Sequence, residues 1–159
     1  MGVYYLHITR NGLYVVKRLS IMKNKKQKLS VIKKRLNTVL SSREKYYTNF
    51  KDIKKYFKLI NDTIFNGELS PFNQIEIKQI RDKKKYCYGL VEVLEWKRKG
   101  TRVYRLQMQP VYKSKKDFVD TLGHEMVHLY QMANKGDSGN HNKLFYSFEP
   151  KLKSIGLRL

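Results

Sequence analysis

The segment His124-Glu125-Met126-Val127-His128 constrains this chain more than any other five residues in it. Histidines at i and i+4 share one face of an α-helix about one turn apart, so both imidazoles can reach a single ion. The surroundings supply the helix. Apolar residues at 118, 119, 122, 126, 129 and 132 repeat at helical spacing, which predicts an amphipathic helix over 117–132. Zinc binds neutral imidazole nitrogen, and a catalytic zinc site uses three protein ligands and leaves one position open to water. Glu125 stands beside the first histidine, where a carboxylate can take a proton from that water.

Two histidines on a helix can also be mere solvated side chains, so the third ligand decides the weight of the pattern. The chain has 4 histidines, and three of them, His124, His128 and His141, fall within one short stretch. Between the helix and His141 lies Asn134-Lys135-Gly136-Asp137-Ser138-Gly139-Asn140, a run of turn-forming residues able to fold the chain back. His141 thereby comes within reach of the other two. His7 sits among strand-forming residues with nothing metal-like near it, and is expected to be an ordinary strand residue.

With these residues in view, the chain resembles the SprT-like zinc metallopeptidase family. Gly123-His124-Glu125-Met126-Val127-His128, a short loop, and His141-Asn142-Lys143-Leu144-Phe145 are similar to its motif. That motif is HExxH, a spacer, then a third histidine usually followed by glycine and, two or three positions on, by an aromatic residue. Upstream, the segment from Tyr56 to Leu69, with Phe65-Asn66-Gly67-Glu68-Leu69 at its end, resembles the family's opening helix and its Phe-x-Gly-x-Leu exit. The likeness runs from about Phe50 to Leu159. It departs at Asn142, where glycine is commoner, and in the cysteine-rich zinc ribbon, which one cysteine, Cys87, cannot build. The resemblance implies one Zn2+ per chain on His124, His128 and His141, Glu125 as general base, and proteolysis of DNA-bound or DNA-crosslinked proteins.

Charge bears on the partner. The formal net charge is +21, with 16 Lys+Arg against two acids in residues 1–58. Such an excess attracts polyanions, and neutralised phosphates release counterions, so binding weakens steeply with salt. Nucleic acid is the expected partner, through backbone contacts, since no base-reading motif is visible. A solvated, lysine-rich surface is the competing explanation. Membrane contact is not expected: no apolar run approaches the ~18 residues that would span a bilayer, and the first residues lack the pattern of a secretory signal. A lone cysteine fits a reducing compartment, so a cytoplasmic, nucleoid-associated protein is expected. Oligomeric state is left open.

Along the chain, two β-rich runs, 3–8 and 13–19, flank Asn11-Gly12 and predict a hairpin. A basic loop over 23–28 and an amphipathic helix over 29–40 follow, broken at Ser41-Ser42. Residues 1–48 thus form a basic arm, either a nucleic-acid-binding module or a solvated extension, and 49–159 the peptidase domain. Within the latter the pattern predicts a helix over 52–65, strands at 74–80, 86–93 and 102–108, turns at 82–85 and 97–100, the motif helix, and a last helix over 143–154. The fold class is α+β, a small three-stranded sheet packed against the motif helix and its flanking helices.

The expected activity is zinc-dependent endopeptidase chemistry. The alternative is an inactive nucleic-acid-binding accessory protein with a structural zinc. Glu125 favours the enzyme, because a structural site needs no carboxylate there and closes with four ligands. For the oxyanion donor, Tyr112, Tyr130 and Tyr146 are candidates. Asp120 could orient a histidine or be a plain surface carboxylate, and Gly123 is expected to permit close packing of the motif helix.

Overall fold

The computed structural model describes residues 29–80, 87–96 and 101–159. The expected hairpin, the basic loop, His7 and the turns at 82–85 and 97–100 lie outside them. The first described element is helix α1, residues 29–39, whose Leu36 and the following Leu40 are buried while Lys33, Lys34 and Arg35 are exposed. Strand β1 (Tyr46–Tyr47) leads into α2 (Phe50–Ile64). Asn49 caps α2 by accepting from the Asp52 N–H, and Ile53, Tyr56, Phe57, Ile60 and Ile64 bury at i, i+3, i+4 spacing. Beyond Phe65, the Asn61 carboxamide accepts from the Leu69 N–H and donates to its carbonyl, which fixes the exit.

Strands β2 (Gln74–Ile77), β3 (Gly89–Trp96) and β4 (Thr101–Met108) form the expected three-stranded sheet, in the order β2-β4-β3. β3 and β4 pair antiparallel from Gly89↔Met108 to Trp96↔Thr101, while β2 lies parallel to β4. Leu106 and Met108 of the central strand are buried in the core. On the alternate positions, Arg105 bridges Glu76 and Glu92, and Gln107 donates to Glu92. A short strand β5 (Val111–Tyr112) then pairs with β1, a two-stranded sheet that no local pattern announces.

Helix α3 (Lys115–Asn134) carries the motif and is capped by Ser114, which accepts from the Asp117 N–H. Phe118, Val119, Leu122, Met126, Val127 and Leu129 bury against α2 and the sheet. The single last helix expected over 143–154 is instead two, α4 (Lys143–Tyr146) and α5 (Glu149–Ser154). Pro150 is the reason: without an N–H it cannot bond the carbonyl of Tyr146, so the helix stops and restarts with proline in its first turn. Leu152, Ile155 and Leu157 then return to the core.

Candidate metal centre and its cleft

His124 and His128 project from one face of α3, and the loop after α3 brings His141 opposite them. Gly136 and Gly139, at φ 63° and 76°, supply the left-handed turns this return needs. The three Nε2 atoms form a nearly equilateral triangle with sides of 3.2, 3.2 and 3.1 Å. Two zinc–nitrogen bonds of roughly 2.0–2.1 Å at a tetrahedral angle span about 3.3 Å, so the triad fits such an ion. These three side chains could hold one metal between them. Burial, together with the neighbouring imidazoles, pulls His124 down to about 4, and burial likewise lowers His128. Both therefore stay neutral, the form a metal requires.

Side chains outside the motif hold the triad. Gln131, fully buried one turn beyond His128, places its Oε1 3.1 Å from His128 Nδ1. Its amide nitrogen donates to the Asn140 carbonyl at 2.8 Å and to Asn142 Oδ1 at 3.1 Å, so the oxygen must face the histidine. His128 is thereby a donor at Nδ1, which leaves Nε2 with its lone pair towards the triangle. The same carboxamide ties α3 to both neighbours of His141. Asn142 in turn caps α4 through the Phe145 N–H and donates to Asp137. Phe145, buried, packs against all three imidazoles, with centroids 4.9, 4.7 and 4.4 Å from His124, His128 and His141.

Glu125 points towards β3. It is 5% exposed, and burial raises its carboxyl to about 8 against the opposing effect of the Val91 backbone N–H. Gly89, the first residue of β3, lies directly over it. A Cβ there would sit 2.9 Å from both Cγ and Oε1 of Glu125 and 2.7 Å from Thr121 Cγ2. A cleft of about 540 Å³ opens at this point, lined by Tyr88, Gly89, Lys113, Thr121, His124 and Glu125 among others. It brings a histidine of the triad and a buried acid to one solvent-accessible wall.

The other candidates take different places. Asp120 orients no histidine and is not a surface carboxylate either. It is buried and accepts from Lys116 Nζ, the Arg158 N–H and Arg158 Nε, which fastens the segment after α5 to α3. Tyr112 is buried with its hydroxyl donating to the Tyr88 carbonyl, and Tyr130 packs on Phe65 and Phe148. Tyr146 is exposed beside His141. Gly123 faces α5 and α2, where a Cβ would meet Leu152 at an ordinary 3.5 Å. Sequence patterns alone do not point to Gln131 or Gly89, and they bring in Asn142 and Phe145 only as motif positions, without the contacts they make. Of the first pair, only Gln131, one helical turn past His128, carries a usable signal.

The SprT-like family model matches residues 53–156, which take in the triad, Glu125, the sheet and both final helices. The chain belongs to the SprT-like family. No curated protein matches it. The SprT-like match begins within α2, so α1 and β1 lie outside it, although Leu36 and Leu40 bury in the same core. Among the described residues, no helix of this SprT-like chain is long and apolar enough to cross a membrane.

Proposed function

We propose that the chain is a zinc-dependent endopeptidase of SprT-like type that acts on proteins at or crosslinked to DNA. The observation that carries this reading is the combination of a tetrahedral-sized imidazole triad with a buried carboxylic acid on the adjoining cleft wall. Zinc held by His124, His128 and His141 would supply Lewis acidity and a water acidified towards neutrality. Glu125 works on protons. Its carboxylate, held against β3 by the Val91 N–H, takes one from the attacking water and returns it to the leaving amine. The raised pKa suits that double duty, because a group that titrates near neutral pH can both accept and donate. Phe145 excludes water from the far side of the imidazoles, and Gln131 keeps His128 in the tautomer that presents Nε2.

Support for nucleic acid as the setting comes from the +21 charge. The accessory-protein alternative gains nothing from the triad, which among the described residues offers three ligands rather than a closed set of four. Elemental analysis and incubation with a DNA-binding protein test the proposal together. The expected result is one zinc per chain and cleavage stimulated by DNA. One zinc without cleavage of any protein or peptide would defeat the enzyme reading, and a chain that takes up no zinc would defeat the whole of it.

A further inference from the structure

A second hollow, of about 490 Å³, adjoins the cleft and shares Tyr88 and Lys113 with it; Lys45, Gln109, Val111 and Tyr112 complete its wall. It arises from the small β1–β5 sheet. Tyr46↔Tyr112 and Tyr47↔Val111 are opposed pairs, so alternation sends the first pair to the core and the second to solvent. Tyr112 accordingly packs on Phe118 with centroids 5.6 Å apart, while Tyr47 and Val111 are 69% and 40% exposed. Tyr88, just before β3, is 42% exposed. Tyr88 and Val111 are thus displayed in the wall of the hollow, with Tyr47 beside Val111 on the paired strand.

The charges around it are equally one-sided. No carboxylate lines the hollow among the described residues. Lys115 and Lys116 are taken up by Asp52 and Asp120, but Lys45 and Lys113, which both line the hollow, are in no ion pair among the described residues. Aromatic faces with flanking lysines suit a single strand of nucleic acid, since every base can stack and every phosphate is anionic. An acidic peptide would match the lysines but would have no need of exposed rings. We propose that this hollow is a single-stranded nucleic-acid subsite, with a base stacked on Tyr88 in its wall, the next on Tyr47 beside Val111 at its edge, and phosphates held by Lys45 and Lys113. It deepens the proposed function and rests on it for the neighbouring peptidase cleft. Tyr88 adjoins Gly89, so a strand seated here would deliver an attached protein directly to Glu125.

The test uses the full chain and a labelled oligothymidylate, with anisotropy read over a salt series. Zinc content and circular dichroism check that each variant is folded, and hydrolysis of a short unstructured peptide is followed in parallel. Replacing Lys45 and Lys113 together by Ala should reduce the slope of log K against log salt by about 1.4, roughly 0.7 per lost phosphate contact. Tyr88→Ala should weaken binding about tenfold, whereas Tyr88→Phe, which keeps the ring, should not. Wild-type affinity and slope in the lysine and alanine variants would overturn the proposal, as would a wild-type chain that does not bind the oligomer. Unchanged oligomer binding with lost hydrolysis of acidic peptides would assign the hollow to the peptide instead, and also overturn it. Variant-sensitive binding in a chain that cleaves nothing would uphold the subsite and defeat only the peptidase reading.

Discussion

Two glycines flank the site, and their substitution by alanine should have opposite outcomes. At Gly89 a Cβ would fall 2.7 Å from Thr121 Cγ2 and 2.9 Å from Glu125 Cγ and Oε1, where carbon atoms prefer about 3.5–4.0 Å. The start of β3 and α3 must then part by roughly an ångström, or Glu125 must turn away. Overpacking of this kind costs about 1–3 kcal/mol. A displacement of about 1 Å in a group that moves protons costs on the order of 100-fold in rate. Gly89→Ala should therefore unfold at lower denaturant and lose about two orders of magnitude in kcat/KM on an unstructured peptide. Its zinc content should not change, because the atoms a Cβ there would meet first belong to Thr121 and Glu125 and not to the three imidazoles. At Gly123 the nearest atom to a new Cβ is Leu152 Cδ2 at 3.5 Å, an ordinary contact. Alanine there removes a mid-helix glycine and should stabilise the chain by up to ~1 kcal/mol. Urea unfolding and steady-state hydrolysis on both variants provide the assay. A Gly89→Ala chain with wild-type stability and rate would refute the close approach of β3 to Glu125.

Glu125→Gln should retain one zinc and abolish hydrolysis. In the metal-free chain it should also change the pH dependence of stability. The folded carboxyl titrates near 8 rather than 4.5, so unfolding releases a proton between those values and wild-type stability falls as pH rises through that window. The gap in melting temperature between Glu125→Gln and wild type, after chelation, should open from pH 4.5 to 8 and then level off; a gap that ignores pH refutes the burial. Gln131→Ala removes the acceptor of His128 Nδ1 and one of the donors to the Asn140 carbonyl and to Asn142 Oδ1, and should cost about 1–3 kcal/mol of stability and about 10- to 100-fold in zinc affinity. Competition with a chromophoric chelator measures the latter, and an unaltered affinity removes Gln131 from the support of the site. His141→Ala should weaken zinc far more, and unchanged stoichiometry and affinity would place the third ligand elsewhere. Chelation of the wild type should leave its far-ultraviolet circular dichroism intact, since none of the ligands belongs to the hydrophobic core; loss of the fold would refute that.

Local periodicity makes the motif helix, α2 and the three longer strands legible in the amino-acid sequence. Phe118, Val119, Leu122, Met126 and Leu129 announce α3 because the residues that repeat are the residues that bury. β1 and β5 offer no such signal: each is two residues long and owes its existence to a partner more than sixty residues away. The parallel register of β2 on β4 is likewise a tertiary choice, made by which edge of β4 the β3–β4 hairpin leaves open. Gly123 abuts the motif, yet Gly89 is the glycine under steric demand, and the contact that makes it so spans 36 positions. Asp120 shows the same limit. Its partner Arg158 is 38 positions from it in sequence and adjacent to it in space.

Asn142 shows how the loop of the triad can depart from its family's pattern and still be held in place. A glycine after the third histidine offers the backbone freedom, but here that backbone is extended, with φ −98° and ψ −173°, which any residue adopts. What the position supplies is a side chain. Its Oδ1 accepts from the Phe145 N–H and from Gln131, and its Nδ2 donates to Asp137, so one carboxamide caps α4, anchors the loop and meets α3. Gln131 completes the circuit by reaching His128 and the Asn140 carbonyl. The loop bearing His141 is therefore held from both sides by groups that bind no metal. The bonds from Gln131 join α3 to residues that approach it only after Gly136 and Gly139 have turned the chain. The spacing of histidines can suggest the triad, while the angle at which His141 arrives is fixed by polar side chains that look ordinary until the loop is closed.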